Sequence, residues 1–323
     1  MVSATPLVVL GEVRTCLLPS AAALARAEAG DLLALMPGRA VRWRERPGTL
    51  GVSPVTAVGV DCDLALGEQT ARIVGTVATS VSLTGGRVLQ SSAHTRILRA
   101  AERRRQTWSH YISRKSITEV ITRIPERETA GNDMVESYLT QAPHTEQLDL
   151  ASISERLLGR VRAHPQLDQN PPVQAGTTRL RWAARIGGSA GPAASLRLDD
   201  DTVRSVRLIL RDETDIAAAQ RFCEDLAVHD WLLTVLADVL DEADRFALHS
   251  SERMDILAPA LEHLTGLWMP GAHTPPALRT LWKDFQNDPG FNKQWTTLLG
   301  RLRDNIAVAT LYTLRHNAVG NDW

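Results

Sequence analysis

Lysine is almost missing from this chain. Only Lys115, Lys283 and Lys293 stand among its 36 basic residues, so arginine carries nearly all the positive charge. A GC-rich genome explains that bias more simply than selection for bidentate anion recognition. Cysteine is also scarce. Cys16, Cys62 and Cys223 are odd in number and far apart, which argues against a disulfide framework and a cysteine zinc cage. The nine histidines form no HxH or HExxH pair, so no metal is expected. Net charge is nearly absent at −1, and no global field draws the chain to nucleic acid or anionic lipid. Uncharged apolar runs of membrane-spanning length are missing too. The start, "MVSATPLVVLGEVRTC", lacks a basic region, and Glu12 ends its apolar run, so no signal peptide is expected. The expected location is the cytoplasm, with peripheral attachment to a membrane as the alternative.

Motifs for chemistry are equally scarce. Gly187, Gly188 and Gly191 do not precede a helix, so they do not read as a phosphate cradle. "LDDDTVR" (198–204) is too short for an EF-hand and reads as a turn. "HSSERMD" (249–255) offers a helix cap at Ser250 or Ser251 and no Ser/His pair. No cofactor is expected.

What is present is a folding chain. Its 323 residues, 44% hydrophobic and 23% charged, suffice for two ordinary domains. The expected class is α+β. Residues 7–13, "LVVLGEV", read as a buried strand, and 20–36 as a helix capped by Ser20 and stopped by Pro37-Gly38. From 55 to 98 the pattern is β. Ile73, Val77, Val81 and Leu83 share one face, and Thr84-Gly85-Gly86 supplies a hairpin turn. Residues 99–124 read as helix. Ser152 and Glu155 have the spacing of a capping box on a short helix at 152–164. Strands at 177–186, 194–200 and 202–210 predict a small β-meander, and helices near 215–247, 251–268, 275–286 and 291–315 a bundle. In the first of those strands Leu180, Trp182 and Ala184 share one face and arginines the other. The organisation expected is a basic α+β domain with a mostly antiparallel sheet (1–125), a connecting segment with short helices (126–176), and a meander plus helical bundle (177–323).

"CEDLAVHDWLLTVLADVL" (223–240) is the most apolar long stretch, with His229 beside Asp230. Its apolar residues run nearly all round a helix, so it should form the centre of the bundle. A charged Asp230 there needs a partner. Adjacent helix positions diverge, so His229 pairs better with Asp225, and Asp225 with Arg221, as a ladder along one face. Structural networks of this kind outnumber catalytic ones; the catalytic alternative uses His229 with Asp225 or Asp230.

"RILRAAERRRQTWSHYISRK" (96–115) interleaves charge and rings: Arg96, Arg99, Arg103, Arg104 and Arg105, then Trp108, His110, Tyr111, Arg114 and Lys115. Such a segment can meet phosphates and bases or a lipid headgroup layer. It can equally pair with acidic protein. Residues 1–125 hold 16 Lys and Arg against 9 Asp and Glu, a balance of +7, which leaves −8 for the remainder. Eight tryptophans against four phenylalanines add a bias toward aromatic packing or docking, with Trp231, Trp268, Trp282 and Trp295 in the helical half.

The segments "LGEVRTCLLPSAAAL", "TWSHYISR", "TTRLRWAARI", "CEDLAVHDWLLTVL" and "LTGLWMPGA" together resemble a streptomycete-type family of actinomycete proteins over nearly the whole chain. The resemblance rests on texture and segments, not on a catalytic signature. That family is encoded beside a variant P-loop, ParA/ATPase-like protein and a protein similar to SAM-dependent methyltransferases. It has no assigned active-site residues. The resemblance implies an accessory subunit working with such partners. The leading expectation is a non-catalytic scaffold or adaptor in a multi-protein complex. Binding of nucleic acid or an anionic membrane through 96–115 is the first alternative, and an enzyme built on His229 the second.

Overall fold

Strand β1 (Val8–Leu17) is buried along its length because helices cover both faces of the sheet it occupies. The computed structural model describes residues 5–142, 144–187, 191–246 and 250–320. Among these, ten strands form one mixed sheet accompanied by eight α-helices, an α+β architecture. Gly188 and His249, weighed above, lie outside the described residues.

The strands are β1, β2 (Arg42–Arg44), β3 (Leu50–Val52), β4 (Thr56–Leu66), β5 (Gln69–Thr84), β6 (Val88–Arg99), β7 (Ile117–Val120), β8 (Thr178–Ile186), β9 (Ala193–Leu198) and β10 (Val203–Leu210). Their order is β2-β3-β5-β7-β6-β1-β8-β10-β9, with β4 along β5. Strand β1 lies between β6 and β8, antiparallel to both, so strands from 1–125 and from 177–323 share one sheet.

Alternation along β1 and β8 assigns the faces. Val9, Val13 and Leu17 meet Leu180, Trp182 and Ala184 under helix α5 (Ile216–Phe246). On the other face, Val8 and Leu10 pack with residues of α3 (Arg127–Thr140). Cys16 and Leu18 pack with α1 (Arg26–Leu33) and α4 (Leu150–Arg162). The bundle is completed by α6 (Ser250–Leu264), α7 (Arg279–Asn287) and α8 (Phe291–Gly320). Helix α5 is its centre: Phe222, Leu226, Trp231, Leu232, Leu236 and Leu240 are fully buried, each side chain stabilising by about 1.5–3 kcal/mol through burial.

The hairpin at 69–99 forms as read, with Gly85 and Gly86 at φ 58° and 68° in its turn. Several local expectations do not hold. Residues 99–124 are not one helix. After β6 ends, the chain bends, makes the short α2 (Trp108–Ile112) and enters the sheet as β7. Strands β5 and β6 pair only near their turn. Farther on they splay, and β7 fills the gap, antiparallel to Ile73–Gly75 and parallel to Arg96–Arg99. Gly75 permits this: a Cβ there would stand 2.2 Å from the Ile117 carbonyl oxygen. Long-range pairing overrides the local propensity of 99–124.

The capping expectations also change. Ser20 does not start α1. Ala25 is the N-cap, and its N–H donates to Glu28 Oε2 at 2.9 Å. Helix α4 is capped by Asp149, which accepts from the Ser152 N–H at 3.0 Å, so Ser152 sits inside the first turn. The expected meander has a different order, since β10 runs parallel to β8 and β9 lies outside it. Burial explains the exchange. In β10, Val206, Leu208 and Leu210 are buried, whereas β9 is largely exposed and takes the edge.

Gly11 faces Trp182 on one side and His94 on the other. A Cβ at Gly11 would lie 2.2 Å from Trp182 Cε2. Gly11→Ala therefore overpacks the central strand and should destabilise the fold by about 1–3 kcal/mol, read as a lower denaturant midpoint. An unchanged midpoint would show that Trp182 can vacate the site freely.

Candidate functional site

The His–Asp stretch resolves into structural contacts. His229 Nδ1 lies 2.6 Å from the Asp225 carbonyl, and the Met269 N–H reaches Nε2 at 3.0 Å. A carbonyl can only accept and an amide N–H only donate, so the ring is neutral with its proton on Nδ1. Burial pushes its pKa down to about 4. Trp268 and Trp282 enclose it edge-on, at centroid distances of 5.1 and 5.4 Å. Neither ring nitrogen is open to a substrate.

The Asp225 carboxylate ties α5 to the loop after α6. It accepts from Thr274 Oγ1 at 2.7 Å, and that hydroxyl accepts from Trp282 Nε1 at 2.9 Å. Desolvation raises the Asp225 pKa to about 6. Arg221 does not continue the expected ladder. It pairs with Glu224 at 2.6 Å, and Glu224 in turn accepts from Ser92 on β6 at 2.8 Å. Asp230 turns to the sheet, where Arg204 of β10 binds it at 2.9 Å, donates to Thr234 and reaches the Asp200 carbonyl. The buried pair is satisfied, which is the condition under which such a pair is tolerated.

The segment 96–115 is dispersed along a strand end, a bend and a short helix. Arg96 is half-buried on β6, and Arg99 donates to the Pro125 carbonyl at 2.7 Å. Arg105 binds Asp61 at 2.9 Å and lies over the Trp108 ring. His110 and Arg114 both turn to Glu119. Tyr111 is buried, its hydroxyl accepting from the Gln106 N–H. The acidic partners are thus Asp61 and Glu119, from the basic half itself. Arg103, Arg104 and Lys115 are exposed and make no ion pair among the described residues. Beside them Trp108 and Ile112, four apart on α2, are 37% and 60% exposed. These five are the exposed basic and apolar side chains of the segment, the bases preceding and following α2 in the chain.

The helical-half tryptophans do not form a docking surface. Trp231, Trp282 and Trp295 are buried, and Trp268 stacks on Trp295 with centroids 4.3 Å apart. The exposed apolar face of this half lies instead on the last turns of α8. There Val308, Leu311, Tyr312 and Leu314 are 48–66% exposed, while Leu302 and Ala309 face the bundle.

A further polar centre escaped the sequence reading. Glu12, fully buried on β1, accepts from Arg179 Nε of β8 at 2.7 Å through one oxygen, and its other oxygen has no partner among the described residues. Arg181 is its direct cross-strand neighbour. Burial raises the Glu12 pKa, opposed by Arg179, Arg14 and Arg181. A charge interrupting "LVVLGEV" and the arginine face of "TTRLRWAARI" were the available signals. Nothing in the sequence pairs them.

The three thiols are free, and burial pushes Cys16 and Cys62 up to about 12 and 11, far from a reactive thiolate. Among the described residues, no group of three or more His, Cys, Asp or Glu could hold a metal ion, and no helix is long and apolar enough to cross a membrane. No family model, curated protein or solved structure matches the chain.

The neutral His229 ring loses its stabilising contribution only as pH falls from the free value of 6.5 toward about 4. Its ring nitrogens should therefore show the Nδ1–H form throughout the neutral range in ¹⁵N NMR. His229→Ala should cost about 1–3 kcal/mol for each buried backbone group left unpaired. A ring that titrates near 6.5 would contradict this assignment.

Proposed function

We propose that the chain is a non-catalytic adaptor subunit that holds partner proteins in a larger assembly. The observation that carries this reading is the exposed apolar face at the end of α8, formed by Val308, Leu311, Tyr312 and Leu314. Such a face is better suited to a partner than to water, since contiguous apolar patches mark interaction surfaces. The closed surroundings of His229 add support by leaving the polar core to structure. Partners of the kinds that the resemblance implies, a P-loop ATPase-like and a methyltransferase-like protein, are the first to test.

Leu311→Glu combined with Leu314→Glu should leave the melting temperature unchanged, because both side chains lie in solvent. It should weaken capture of those neighbours, co-expressed from the native host, by about 2 kcal/mol or more if the leucines anchor the interface, roughly thirtyfold in Kd. Full capture by the double variant would remove α8 from the interface.

A second reading is favoured by these exposed side chains around Trp108. The unpaired Arg103, Arg104 and Lys115 precede and follow an exposed ring and an exposed isoleucine in the chain, a combination suited to an anionic surface such as lipid headgroups or nucleic acid. Arg105 is already engaged with Asp61. The informative variant is therefore Arg103→Glu, Arg104→Glu and Lys115→Glu together. At about 1 kcal/mol per basic residue near an anionic membrane, binding to phosphatidylserine vesicles should fall by about two orders of magnitude. The same binding should weaken as salt rises. Salt-independent binding, or none by the native chain to vesicles or single-stranded DNA, would dismiss this reading.

A further inference from the structure

Strand β9 ends the sheet on one side and is hydrogen-bonded to β10 alone. Its neighbours fix which way its backbone points. The Arg179 N–H donates to the Thr202 carbonyl and the Gly187 N–H to the Leu210 carbonyl. The even-numbered residues of β10 therefore address β8 and the odd-numbered ones address β9. Opposite those odd-numbered residues stand Arg197, Ser195 and Ala193. Ala194, Leu196 and Leu198 accordingly turn their N–H and C=O groups away from β10, where they meet no strand among the described residues.

The side chains of these three lie on the α5 face. Ala194 and Leu196 pack against the core beneath α5, whereas Arg197 reaches the Leu139 carbonyl of α3 on the other face. Beside this edge runs an open groove of about 460 Å³, lined by Leu196 and Leu198 of β9, Leu233 and Ala237 of α5, and Phe291 and Leu298 of α8. Its volume falls within the roughly 300–1,000 Å³ usual for binding sites. The Arg204–Asp230 pair in its lining is already satisfied. Leu198 is 61% exposed. An edge with free backbone groups and apolar side chains is a template for a further strand.

Charge selects that strand. Arg181 and Arg197 share Asp199, and Lys293, in the groove lining, makes no ion pair among the described residues. Asp200 lies past the end of β9 and is held by the Thr202 and Val203 N–H groups. A second copy of β9, laid antiparallel with Leu196 opposite Leu196, would set the two Arg197 side chains diagonally across the pair, about 7–8 Å apart. A segment with an acid between apolar residues gives Arg197 a counter-charge instead.

We propose that this slot takes an extended segment of a partner protein as an additional strand beside β9, with alternate apolar side chains in the groove and an acidic residue facing Arg197. The proposal rests on the adaptor reading for its protein partner, but it uses a surface apart from the last turns of α8.

The probe is the fluorescein-labelled peptide Ser-Val-Glu-Ile-Thr-Val-Ser, amidated at its end and titrated with the full chain by anisotropy. In either direction, only alternate residues of an added strand point their backbone at β9. N-methylation of the Val and Ile amides as one set, and of the Glu and Thr amides as the other, should thus abolish binding in one case and spare it in the other. Replacing Glu by Lys in the peptide should weaken it by roughly threefold to tenfold, the swing from an attractive to a repulsive cross-strand pair. Leu196→Pro removes an N–H that β10 does not use, so the ladder should persist and peptide binding should be lost. If that variant unfolds, Thr297→Trp, which fills the groove from the exposed side of α8, should abolish binding at unchanged melting temperature. Leu311→Glu with Leu314→Glu should bind the peptide as the native chain does, which separates failure of this slot from failure of the α8 interface. No binding of the unmodified peptide at millimolar concentration, equal effects of the two methylated sets, or full affinity in folded Leu196→Pro or Thr297→Trp would overturn the proposal. So would a native dimer that Leu196→Pro dissociates, since the edge would then belong to a second copy.

Discussion

A sheet covered on both faces gives its central strand no water, so every polar group on that strand must find its partner within the protein. That constraint governs this molecule. Strand β1 is flanked by β6 and β8 and roofed by α5 on one side and by α3 and α4 on the other. Thr15 reaches Gln90, whose amide also bonds the Glu224 carbonyl of α5 at 2.9 Å. Arg14 reaches Glu155 and the Ala151 carbonyl of α4. These polar links fix how the helices sit on the sheet, a matter that apolar packing leaves less specific. Glu12 is the place where the constraint is met by half.

The central helix obeys the same rule by different means. Its carboxylates at 224, 225 and 230 do not gather into one site. They point three ways, to β6, to the loop after α6 and to β10. Successive positions on a helix are about 100° apart, so charges that look clustered in sequence radiate from the axis. What resembled a dyad is a set of separate anchors, and His229 joins them as a neutral ring bridging two backbone groups.

Much of the frame was legible from period and punctuation. The hairpin of β5 and β6, the apolar face of β8 and the run of α5 follow from alternation, a Gly-Gly turn and an all-round apolar pattern, which are local signals. The insertion of β7 was not legible, because residues 117–120 are strand only by virtue of the gap between Gly75 and Arg96. Nor was the exchange of β9 and β10, which depends on which strand has more to bury. At the sites, Asp230 visibly needed a partner, but nothing local named Arg204. The arginine face of β8 was visible, and so was the charge in β1. Their meeting depends on a pairing across some 170 residues, which no window on the sequence contains.

That separation bears on how the chain is made. Val8 pairs with Ile97 and Val9 with Ala184, so β1 leaves the ribosome well before the strands that enclose it. Until β6 and then β8 emerge, an apolar ribbon has neither neighbour, and unpaired ribbons of this kind recruit other nascent chains. Glu12 and Arg14 set two charges in that ribbon, and charged residues within an apolar strand disfavour aggregation. The two charges thus interrupt the apolar run of the strand before it takes its place beneath the helices.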